Sequence, residues 1–111
     1  MRIDAQKVGA VTVLEPHGPV VQDDAEAFGE RLTQALHQSM GRLVVDVSEV
    51  PYLDSQGLEI LADAAEQLQS TGQSLRLSGA NETLRTVFEI TEMHDRFDHY
   101  QDIHTAVRSF L

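Results

Sequence analysis

Apolar residues along the chain recur with two periods, and the changes between them divide it into alternating strands and helices. Ile3 to Val8 and the β-branched segment Val11-Thr12-Val13-Leu14 read as a pair of strands turning at Gly9, with Pro16-His17-Gly18-Pro19 closing the second. Beyond it, Ala25, Phe28, Leu32, Ala35 and Leu36 recur every three or four residues, which predicts a helix. Asp23 is placed to cap that helix, Glu26 completes a capping-box spacing, and Gly41 ends it. Leu43-Val44-Val45-Asp46-Val47 is the most continuous apolar run, the mark of a central strand covered on both faces. Leu58, Leu61, Ala62, Ala65 and Leu68 then define a second helix that starts just past Asp54-Ser55 and stops by Gly72. Ser74 to Ser78 alternates as a strand. Asn81 is suited to cap a third helix that turns Leu84, Val87 and Phe88 inward. A short strand at Phe97 to Tyr100 and a last helix from Asp102, with Ile103, Val107 and Phe110 apolar, complete the series. Helices between successive strands require crossover connections, so the expected class is α/β with a mixed, partly parallel sheet or an antiparallel edge.

Composition narrows what such a domain binds. Eight Lys and Arg against 18 Asp and Glu give a net charge of −10, which disfavours nucleic acid and anionic membrane, since both are held by basic surfaces. With no Cys there is no disulfide framework, no cysteine zinc site and no thiol nucleophile; a reducing, cytoplasmic setting is the expectation. The opening MRIDAQKVGAV lacks the apolar stretch of a signal peptide, and no run reaches the roughly 18 apolar residues of a membrane span. At 111 residues, without a linker or repeat, residues 1–111 are expected to form one domain.

The segment with chemical interest is Pro51-Tyr52-Leu53-Asp54-Ser55-Gln56-Gly57-Leu58, which joins the expected central strand to the second helix. Open α/β sheets place ligand sites at such turns, where the first helical N–H groups and the helix dipole favour an anion. Two readings stand side by side: a hydroxyl poised to carry a phosphoryl group, or Asp54 or Ser55 capping the helix while Gly57 permits close packing. Ser55 lacks the glycine two residues earlier that a hydrolase nucleophile elbow needs, and no phosphate-cradling glycine motif occurs. His94 and His99 bracket Asp95 and Asp98, but in no recognised metal-ligand spacing, and solvated loop residues are the expectation. Glu59, Asp63 and Glu66 share one face of the second helix, either as a solvated face or as a docking surface for a basic partner.

Leu43 to Leu58, with its apolar strand ending in Asp46, short turn and Asp54-Ser55-Gln56-Gly57-Leu58 opening a helix, resembles the signature of STAS domains, the family named for sulfate transporters and anti-sigma factor antagonists. The likeness extends to the Gly18-Pro19 turn, the stretch from Leu75 through Gly79-Ala80-Asn81 to Phe88, and Phe97-x-x-Tyr100 followed by a helix carrying Ala106. It implies a STAS-like α/β fold, a mixed sheet of about four to five strands with about four helices. It also implies a non-enzymatic protein-binding module with no cofactor and no metal, partnered by a kinase-fold anti-sigma factor or, in other branches, by a transporter ATPase or sensory complex. Nucleic acid and membrane insertion are not implied, and a homodimer is left open. In switching members a kinase phosphorylates a hydroxyl of this turn, usually the residue before the glycine. Here that position is Gln56, which leaves Ser55 as the candidate acceptor. The implied partner-binding surface is Asp54, Ser55, Gln56, Gly57, Leu58, Glu59 and Asp63.

Overall fold

A computed structural model describes residues 1–111. Strands β1 (Arg2–Val8) and β2 (Val11–His17) form an antiparallel hairpin, and Gly9, at φ 64°, supplies the left-handed residue of its turn. The remaining strands β3 (Leu43–Asp46), β4 (Leu75–Ser78) and β5 (Phe97–Tyr100) add in parallel, so the five-stranded sheet runs β1-β2-β3-β4-β5. Four helices connect or follow them: α1 (Gln22–Ser39), α2 (Ser55–Gln69), α3 (Glu82–Ile90) and α4 (Ile103–Arg108), with a 3-10 turn at His94–Arg96. This is the expected mixed sheet with an antiparallel edge. β3 is its middle strand, and all four of its residues are buried.

The strand alternation sends side chains to two unequal faces. Leu14, Leu43, Val45, Leu75 and Leu77 pack with Phe28 and Leu32 of α1, Leu61 and Leu68 of α2, and Leu84 and Phe88 of α3 in the main core. Burying one such side chain contributes about 1.5–3 kcal/mol. On the opposite face Val11, Val13 and Val44 meet Ala106 of α4 in a small second cluster. The expected inward residues are in the main core except Val87 and Ala62, which are half-buried, as is Leu58.

Three details differ from the sequence expectation. Pro16 does not close β2 but lies within it, buried and opposite Ile3. Its missing N–H is tolerated because the ladder with β3 ends at Leu14. The left-handed step that ends α1 begins at Met40, at φ 54°, and continues through Gly41 at 86°. Phe110 falls beyond α4, which stops at Arg108; its ring lies 3.6 Å beneath the Arg76 guanidinium, while Arg76 Nε donates to Ser109 Oγ at 2.7 Å. No helix is long and apolar enough to cross a membrane.

Candidate functional site

The loop from Val47 to Asp54 leaves the C-terminal end of the middle strand, and both neighbouring loops hold it. On the β4 side, Asp46 is buried at 4% exposure and accepts hydrogen bonds from Ser78 Oγ at 2.7 Å and Ser48 Oγ at 2.6 Å. The Val47 N–H donates to the Ser78 carbonyl at 2.9 Å. Asn81 works in two directions: its Oδ1 caps α3 by accepting from Leu84 N at 2.8 Å, and its Nδ2 donates to the carbonyls of Val50 and Pro51, each at 3.3 Å. On the β2 side, Gly18 N donates to Glu49 O at 3.0 Å and Val20 N to Tyr52 O at 3.2 Å; Asp54 N returns a bond to Val20 O at 3.3 Å. Val20 and Leu53 thereby form a parallel bridge. A loop tied this way at both flanks presents its tip in one geometry.

Asp54 organises that tip. One carboxylate oxygen accepts from Gly57 N at 2.9 Å, the N-cap bond of α2, and the other accepts from Gln22 N at 3.0 Å, at the start of α1. One side chain thus serves two helix N-termini. The N–H groups of Gly57 and then Gln22 hold its carboxyl below the usual carboxylate range. This corrects the expectation of a cap at Asp23 with Glu26: α1 begins at Gln22, its N-cap residue Val21 has no capping side chain, and Asp23 falls in the first turn. Of the two capping candidates at α2, Asp54 is the cap, and Ser55 is the first helical residue. A free anion at this terminus would meet the Asp54 carboxylate already bonded there, which disfavours it.

Gly57 is buried, and a Cβ in its place would collide with the Val20 carbonyl oxygen and lie 3.0 Å from Leu53 Cβ. The glycine is what lets α2 start directly against the β2–α1 loop. Above it, Ser55 and Gln56 are exposed and Asp54 is half-buried. Leu58 packs against the main core. Glu59, Asp63 and Glu66 are exposed along α2, a helix that carries no Lys or Arg. The structure therefore gathers Asp54, Ser55, Gln56 and Glu59 at one accessible end, puts Gly57 and Leu58 beneath them, and sets Asp63 two turns along the helix.

Sequence reasoning missed Asp46, Ser48 and Ser78. The available signal was a single acid inside the most apolar run of the chain, since a buried carboxylate needs hydrogen-bond donors. His94 and His99 are not the expected solvated loop residues. Both are half-buried, their rings stack 4.3 Å apart at 9°, and His99 Nε2 donates to the His94 carbonyl at 2.8 Å. The His99 ring of the stack packs against Phe88 and Phe97, and both Nδ1 atoms are buried without a partner. No three His, Asp or Glu side chains converge as metal ligands.

Comparison with known proteins gives a consistent picture. The STAS domain profile matches residues 2–106. Nothing among curated proteins matches the sequence. An anti-sigma factor antagonist from Mycobacterium paratuberculosis superposes with a TM-score of 0.85 at 22% identity, covering 97% of this chain and 92% of that one. The phosphorylated form of the Bacillus cell fate determinant SpoIIAA superposes at 0.74 with 15% identity, over 99% and 100% of the two chains. A sulfate transporter family protein from Wolinella succinogenes superposes at 0.73 with 20% identity, over 90% and 84%.

Proposed function

The chain belongs to the STAS domain family, and from that premise we propose that residues 1–111 are one non-enzymatic interaction module of the anti-sigma factor antagonist kind, binding a kinase-type anti-sigma factor through the Asp54 turn and the adjoining part of α2. The observation that carries the proposal is an exposed hydroxyl, Ser55, at the first position of α2 on a loop fixed from both sides, with the helix cap already supplied by Asp54. Because the cap does not depend on Ser55, its hydroxyl is free for chemistry without cost to the fold. The partner-binding surface comprises Asp54, Ser55, Gln56 and Glu59 at the tip, Gly57 and Leu58 as its support, and Asp63 farther along.

In the regulated state Ser55 Oγ attacks the γ-phosphorus of ATP bound to the kinase. A P–O bond forms as the β–γ bridging bond breaks, ADP leaves, and the hydroxyl proton passes to a base of the kinase. The product adds up to about two negative charges beside Asp54 and one helical turn before Glu59. Any contact covering the tip would then bury uncompensated charge, so binding is lost. That SpoIIAA has both an unphosphorylated and a phosphorylated structure supports reading the same exchange here.

The test is incubation with a kinase-fold anti-sigma factor and ATP, read by intact mass. One phosphate is expected on the wild type and none on Ser55→Ala, and Ser55→Asp is expected to lose the partner in a pull-down. No gain in mass, or a gain that survives Ser55→Ala, overturns the phosphoswitch. A second reading is favoured by Gln56, which cannot accept a phosphoryl group, and by the likeness to the transporter-family protein. On that reading the module is a constitutive subunit of a transporter ATPase or sensory complex, and its partner is retained equally by Ser55→Ala and Ser55→Asp.

A further inference from the structure

Tyr52 stands two residues before Asp54, on the loop that both neighbouring loops hold, and its ring takes no part in either apolar cluster. It is 52% exposed, whereas the other five aromatic rings, those of Phe28, Phe88, Phe97, Tyr100 and Phe110, are buried or half-buried. The backbone beneath the ring is nevertheless fixed. The Tyr52 carbonyl accepts from Val20 N at 3.2 Å, the Pro51 carbonyl before it accepts from Asn81 Nδ2 at 3.3 Å, and Leu53 after it bridges to Val20. A phenol on such a backbone has only two side-chain torsions to lose when it is covered. The charges nearest it in sequence are of one sign: Glu49 is exposed, Asp54 is half-buried, and no Lys or Arg occurs between Arg42 and Arg76.

We propose that Tyr52 is the anchor of the partner contact at this tip, its ring entering a pocket of the kinase-type anti-sigma factor that is apolar inside and rimmed by Lys or Arg. The inference rests on the proposed function and adds to it a residue outside the Asp54-to-Asp63 surface. Tyr is among the side chains that carry most of the energy of an interface, because it buries a large apolar body while its hydroxyl stays able to bond at the rim. Cations around the pocket meet the carboxylates of Glu49 and Asp54 and the face of the ring. A second copy of this chain docking by the same tip brings no cation to it, so self-association there leaves carboxylate against carboxylate. Tyr52 is a positioning residue: held in its pocket, it fixes where Ser55, three residues on, meets the kinase. The ring is gripped alike before and during transfer, so its loss is read in KM for this protein and not in kcat.

The probe is a purified kinase-fold anti-sigma factor, titrated calorimetrically without ATP into wild type, Tyr52→Ala and Tyr52→Phe, and then supplied with ATP for phosphorylation kinetics. Tyr52→Ala is expected to bind about thirtyfold more weakly and to raise KM with kcat unchanged, and Tyr52→Phe to stay within about threefold of wild type. The side chain is exposed, so both variants are expected to melt as the wild type does, and thermal melts check this. The chain contains no Trp, so Tyr52→Trp adds a reporter whose emission, read as the difference from the same mixture with wild type, is expected to move to the blue as the pocket covers it. Equal binding of wild type and Tyr52→Ala, a fall in kcat in place of a rise in KM, a loss in Tyr52→Phe as large as in Tyr52→Ala, or an unmoved Trp emission at saturation would each overturn the anchor alone, with the turn reading standing. A wild type that is neither bound nor phosphorylated overturns the turn reading, and the anchor falls with it.

Discussion

Asp46 and Asp54 stand at the two ends of one loop and hold it by opposite means. Asp46 is buried and accepts from two side-chain hydroxyls, one of them on the neighbouring strand. Asp54 is half-buried and accepts from two backbone N–H groups, each at the start of a helix. The first belongs to the core, and its donor Ser78 is fully buried beside it. The second faces solvent, where water can replace part of what it provides. The same side chain therefore anchors the fold at one end of the loop and shapes the accessible tip at the other.

Substitution separates the two roles. Asp46→Ala leaves the Ser78 hydroxyl buried without its acceptor and opens a void, and is expected to cost about 3 kcal/mol in urea unfolding with an unchanged m-value. Gly57→Ala tests the packing between the two anchors: its Cβ must displace the Val20 backbone, at about 2 kcal/mol, read as a lowered thermal midpoint. Asp54→Ala is expected to destabilise less than either, and a larger loss than in Asp46→Ala would break the distinction.

Acidity sharpens the contrast further. Because folding lowers the Asp54 carboxyl below its ordinary value, its stabilisation is complete above about pH 4 and is lost as pH falls through the lowered folded value. The gap in stability between wild type and Asp54→Ala, measured by denaturant unfolding across pH 7 to 2, is expected to close over that range. A gap that stays constant would show that the side chain acts by packing and not by charge. The smallest effect is at Ser55→Ala, within about 0.5 kcal/mol of wild type, because the residue is exposed and takes no part in the cap.

Much of this was legible in the chain, and the boundary of legibility has a physical cause. The order of elements, the buried middle strand and the inward stripes of the helices follow from periodicity, which is a local property. Asn81 as the cap of α3 was readable for the same reason, since its partner Leu84 is three residues away. The second bonds of Asn81 and Asp54 were not, because Val50 and Gln22 lie 31 and 32 residues distant and meet these side chains only after the sheet forms. Asp23 with Glu26 satisfied every local rule for a cap, yet α1 takes its N-terminal partner from Asp54. The Asp54-to-Leu58 turn stood out in sequence; what fixes it in place did not.

The unbroken strand order β1-β2-β3-β4-β5 has a bearing on how the molecule is made. Each strand pairs with the one that precedes it in the chain, so no later strand has to open an existing ladder to find its place. As the chain leaves the ribosome, N-terminal segment first, the sheet can grow at a single edge. Paired positions in the three parallel ladders lie 22 to 32 residues apart, so each closure spans a single crossover and none spans the whole chain. The Asp54 tip closes in step with this growth: its β2 clasp is ready once α2 starts, and the Ser78 and Asn81 clasp arrives with β4.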